Sequence, residues 1–142
     1  VLRSAAPIDV LVFMLGTNDF QSNIPAGNPI STARAVQYML ETARKLGVDR
    51  PGEKMKILLI SPVEITEDRL TFKENDVTDQ TSIDTSRQLG KCLRTVAEQL
   101  DVEFIDAAQF IKPGKVDGVH LDEEGHAKMS ELVFEMVHTM LS

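Results

Sequence analysis

The sequence predicts an α/β domain, a parallel sheet covered by helices on both faces. Strand-like and helix-like segments alternate three times along the chain of 142 residues. The first two strand segments are almost continuously apolar, as strands buried on both faces must be. The two loops richest in polar chemistry each follow a strand and precede a helix. Alternation of this kind needs crossover connections, and therefore parallel pairing. In such sheets ligands bind at the carboxyl ends of the strands.

Residues 8–15, rich in Val, Leu and Ile, form the first predicted strand. It ends at Gly16-Thr17-Asn18-Asp19, all turn formers. A polar loop with Pro25, Gly27 and Pro29 leads to Ser31 as the predicted helix N-cap. Ala33, Val36, Leu40, Ala43 and Leu46 fall at helical spacing, Arg44 and Lys45 suit the last turn, and Gly47 ends the helix. Residues 56–61 form a second buried strand, stopped by Pro62. Residues 63–81 are polar and aperiodic; a structureless loop of that length in a compact domain is uncommon and often functional. Ile83, Leu89, Leu93, Val96, Ala97 and Leu100 mark a second amphipathic helix, and residues 102–106 a short third strand. Asp122, followed by Glu123 and Glu124, suits the N-cap of a last helix. Met129, Leu132, Val133, Met136, Val137 and Met140 give that helix its apolar stripe. No repeat or second domain is evident, so residues 1–142 read as a single domain.

Composition narrows the function classes. Fifteen basic against 22 acidic residues give a formal charge of −7, with no basic run. That pattern does not support nucleic-acid binding through a basic patch. The longest apolar stretch, residues 10–15, is too short to span a bilayer, so no membrane association is expected. One cysteine, Cys92, lies in a helical pattern and cannot form an internal disulfide. Free cysteine is commonly a small buried apolar residue, and that reading outweighs a nucleophile role. With no signal-peptide pattern, a reducing, cytoplasmic setting is expected.

The chemistry concentrates in Asp117-Gly118-Val119-His120. A carboxylate three residues before an imidazole can fold back in a tight turn and accept from one ring nitrogen. The other nitrogen is then free to take a proton from a nucleophile. Asn18, at a strand end, can donate its amide to a developing oxyanion, an interaction worth roughly 10²–10³ in rate.

Together these blocks resemble the SGNH (GDSL-type) hydrolase family, whose members carry G-x-N-D after a central strand and D-x-x-H before the last helix. Gly16-Thr17-Asn18-Asp19 matches the first, and Asp117-Gly118-Val119-His120 the second. Residues 121–126 also look like the family's entry into that helix. The resemblance implies a flavodoxin-like three-layer α/β/α sandwich and an ester or thioester hydrolase, with acyl transfer open. It implies Asn18 as an oxyanion-hole donor, His120 as general base and Asp117 as its orienting group, with no cofactor. The small arylesterase or acyltransferase type fits best; there a long segment such as residues 63–81 shapes the pocket or subunit contacts.

The family's G-D-S nucleophile block and its second, glycine oxyanion block have no counterpart here. Ser4 precedes the first strand, Ser61 sits before Pro62, and Ser22, Ser31, Ser82 and Ser86 read as loop or cap positions. No G-x-S-x-G elbow occurs. The expectation is a C-terminal portion lacking the first two strands, with its nucleophile elsewhere. Residues 8–15 would then be an exposed apolar edge, prone to pairing. The expected partners are a small acyl ester or thioester, a complementing N-terminal segment and a second copy of the chain. Two alternatives stay open: a catalytically inert module of the same fold, and a metal site built from Asp117, His120, Asp122 and His126. Phe20, Ile24 and Phe72 are candidates either for a pocket wall or for core packing.

Overall fold

The computed structural model describes residues 1–24, 27–75 and 77–142; Pro25 of the predicted loop and Asp76 of the 63–81 stretch fall outside them. The elements run β1 (Val10–Phe13), α1 (Pro29–Arg44), β2 (Lys56–Ser61), α2 (Asp68–Thr71), α3 (Gln80–Leu100), β3 (Glu103–Asp106) and α4 (Glu123–Leu141). The strands pair in parallel in the order β1-β2-β3. Their register sets Val10 beside Lys56 and Ser61 beside Asp106.

Side chains alternate across the sheet, which divides the core in two. Ile57 and Leu59 join Val36, Leu40, Leu89 and Leu93 of α1 and α3 on one face. Leu58, Ile60 and Ile105 meet Met129, Leu132, Val133 and Met136 of α4 on the other. Five of the six β2 residues are therefore buried, as a strand covered on both faces requires.

β1 departs from expectation. Its ladder covers only Val10–Phe13, shorter than the predicted residues 8–15. Leu11 and Phe13 pack on the α1/α3 core, but on the opposite face Val12 is 42% and Met14 43% exposed. Among the described residues, β1 pairs on one side alone, with β2. The apolar character of β1 fits two-sided burial, while on its second face Val12 is left substantially exposed.

Local capping refines the helix starts. Asn28, not Ser31, caps α1: its side-chain oxygen accepts the Ser31 N–H at 2.9 Å, with Pro29 in the first turn. A proline preset to helical φ makes that start one turn earlier than the serine suggests. Asp79 and Ser82 form a reciprocal capping box on α3. Ser86, taken from sequence as a loop or cap position, lies inside α3 and is buried. Asp122 caps α4 as expected, accepting the Gly125 N–H at 2.9 Å. Residues 63–81 are not structureless: they contain α2 and a side-chain turn in which Asn75 accepts the Thr78 N–H at 3.0 Å. No helix among the described residues is long and apolar enough to cross a membrane.

Candidate active site

Both loops singled out by sequence leave the carboxyl ends of strands. After β3 and a short turn, residues 110–122 carry the Asp117 block to the start of α4. The loop is closed by its own backbone: Gly114 N–H donates to His120 O at 2.8 Å, and Gly118 N–H to Gly114 O at 3.0 Å. Gly118 has φ +67°, where a Cβ is strained, and a Cβ built there would lie 2.6 Å from Arg69 N. Only glycine suits both the turn and this close approach of two backbones.

That turn folds Asp117 back onto its own loop. One carboxylate oxygen accepts the Val119 and His120 backbone N–H groups, each at 3.0 Å. The other lies 2.5 Å from His120 Nδ1. Burial pushes the Asp117 carboxyl up, but the His120 ring and the two backbone donors outweigh it and hold the group at about 2. Asp117 is thus ionised at neutral pH and sets Nδ1 as the protonated ring nitrogen. The Asp117 side chain is 16% exposed and that of His120 82%. An imidazole so held turns Nε2 outward as a proton acceptor.

Asn18 lies in a 3-10 turn, Thr17–Phe20, directly after the β1 segment, and is exposed. It stands on the wall of a cleft of about 280 Å³ that Met14, Leu15, Thr32, Met39 and Pro62 also line. The cleft is apolar along its Met and Leu side and polar at the turn. Phe20 is 4% exposed and belongs to the core, Ile24 is 41% exposed, and Phe72 sits under the Arg69 guanidinium at 5.2 Å. None of the three lines the cleft.

The rest of the sequence-level candidates separate. Ser4 bonds Val1 O and Ser31 is bonded to Asn28. Ser61 is 1% exposed at the end of β2. Ser82 belongs to the capping box, and Ser86 bonds Ile83 O at 2.7 Å. Among the described residues no serine hydroxyl is hydrogen-bonded to His120. Cys92 is half-buried against the α1/α3 core, as a small apolar residue would be. The four proposed metal ligands are not gathered: Asp117 holds His120, Asp122 caps α4, and His126 is exposed on that helix. Among the described residues no group of three or more His, Cys, Asp or Glu side chains is placed to hold a metal ion.

Sequence reasoning missed the partner of the Asp117 loop. Thr66 N–H donates to Gly118 O at 2.9 Å, tying the 63–81 stretch to the site. The unusually long polar stretch was its only sequence signal.

Residues 1–128 match the GDSL-like lipase/acylhydrolase family. No curated protein matches the chain. Among solved structures, a carbohydrate acetylesterase family member from Sinorhizobium meliloti is 27% identical with a TM-score of 0.85, over 99% of this chain and 65% of that one. The aryl esterase of M. smegmatis is 22% identical with a TM-score of 0.82, over 98% and 64%. The chain thus spans less than two thirds of the length of either structure.

Proposed function

Because the chain belongs to the GDSL-like lipase/acylhydrolase family, we propose that it carries the general base and one oxyanion donor of a serine esterase. The observation that carries this reading is the bond between Asp117 and His120 Nδ1. In the proposed reaction, a serine Oγ attacks the acyl carbon of an ester or thioester and gives its proton to His120 Nε2. The tetrahedral oxyanion accepts a hydrogen bond from the Asn18 amide. Its collapse breaks the bond to the alcohol or thiol, which leaves with the proton from His120. Water, or another acceptor, repeats the sequence on the acyl-enzyme and regenerates the serine. Asp117 keeps the ring oriented and favours the imidazolium that forms.

No described serine bonds His120, and we place the nucleophile in a Gly-Asp-Ser segment outside these 142 residues. That segment would pair along β1 and cover the exposed side of Val12 and Met14. The relatives named as acetyl- and aryl esterases support a short acyl group on a carbohydrate or aromatic alcohol as the substrate class.

Turnover of p-nitrophenyl acetate tests this. The chain alone and its His120→Ala variant are expected at background. A protein that also carries the upstream segment should turn the ester over and lose about three orders of magnitude or more on His120→Ala. Full activity in that variant would sink the assignment. Background rates from the longer protein itself would favour an inert module of the same fold.

A further inference from the structure

The Asp117 turn is held from outside by a three-residue stretch that is itself clamped on α3. Ile65, 4% exposed, donates its N–H to Ser86 Oγ at 3.0 Å. Ser86, 7% exposed, donates in turn to Ile83 O at 2.7 Å, so its hydroxyl is fixed in both roles. Glu67 accepts from Arg87, the next residue of α3, at 2.5 Å. Between these two anchors, Thr66 N–H points the other way and donates to Gly118 O at 2.9 Å. Gly118 has no Cβ to keep the stretch at a distance: one would meet Thr66 Oγ1 at 2.7 Å. The Glu67–Arg87 pair is solvent-exposed on both sides, and such pairs restrain little. The Ser86 bond is buried, and a buried N–H deprived of its acceptor keeps its full desolvation penalty, which favours a shift of the backbone toward another partner. Further along the same segment, Val77 O accepts the Ser22 N–H at 2.8 Å, close to the turn that carries Asn18.

We propose that Ser86 is a positioning residue for the Asp117–His120 pair, acting through the Ile65–Thr66 backbone and Gly118. The inference rests on reading that pair as the general base and its orienting carboxylate. Ser86 touches neither residue, so its effect reaches them through the backbone bond to Gly118. With the hydroxyl gone, the 65–66 backbone loosens, Gly118 O loses its donor, and the turn no longer holds the Val119 and His120 N–H groups on one carboxylate oxygen.

The test uses NMR on the full 142-residue chain. It follows the Asp117 carboxyl titration and the hydrogen exchange of the Val119 and His120 amides. In Ser86→Ala the Asp117 midpoint is expected to rise by about one unit from about 2, and both amides to exchange about tenfold faster. Ser86→Thr, which keeps a hydroxyl, should restore both. A merely structural serine would lower stability without moving Asp117. If Ser86→Ala does not fold, Ser86→Cys, which keeps the volume but offers the Ile65 N–H only a weak sulfur acceptor, carries the same expectation. Unchanged Asp117 and amide behaviour in a folded Ser86→Ala would overturn the relay and leave the pair standing. An Asp117 that titrates like an ordinary carboxylate in the unmodified chain would overturn the pair, and the relay with it.

Discussion

Asp117 accepts hydrogen bonds from one imidazole and two backbone amides, all donated within its own tetrad. Its folded value of about 2 lies below the ordinary 3.8, so its ionised form stabilises the fold. That contribution is fully present above about pH 4 and is lost as pH falls through about 2. A shift just under two units corresponds to at most about 2.5 kcal/mol, and the exposed His120 ring makes the true figure smaller. Asp117→Asn should therefore be less stable than the parent at pH 7, with the difference vanishing near pH 2 in urea titrations. An equal gap at both pH values would mean the carboxylate charge is not what holds the turn. Because donor and acceptor are three residues apart, this geometry is legible in the sequence. Gly118 is half legible: its freedom at positive φ is local, whereas its contact with Thr66 and Arg69 is not.

At the scale of elements, β2 and β1 look alike in sequence and differ in the fold. Leu58 and Leu59 are both fully buried, one beneath α4 and one beneath α1 and α3. Truncating either to Ala is expected to cost about 2–5 kcal/mol, with Val12→Ala costing under about 1 kcal/mol. Urea midpoints at unchanged slope would check both. A comparable loss at Val12 would mean that something covers that face of β1 in solution. The helices follow their periodicity closely, because burial of one face and capping at each end are local demands. α2 escapes such reading: four residues are too few to show a period, and the stretch leading into it, residues 65–67, is held by Ser86, Gly118 and Arg87.

For the whole molecule, the consequence is an open edge. β1 pairs on one side among the described residues, Val12, Met14 and Leu15 are exposed, and so are Phe134 and Leu141 on α4. Unpaired apolar strand edges template association. Sedimentation of the chain alone is expected to show concentration-dependent self-association, reduced when the upstream segment is supplied. A monodisperse monomer with a single cooperative unfolding transition would contradict this. By itself the sequence determined the α/β class, the order of most elements, the Asp122 cap of α4 and the Asp117–His120 bond. Each of these follows from periodicity or from groups within a few residues of one another. Only the tertiary structure decided which strand is an edge and which face of it is bare. It alone seated Phe20 in the core and brought residues 65–67 between α3 and Gly118. Those outcomes depend on which distant segments meet when the chain closes on itself, and no local pattern encodes that meeting.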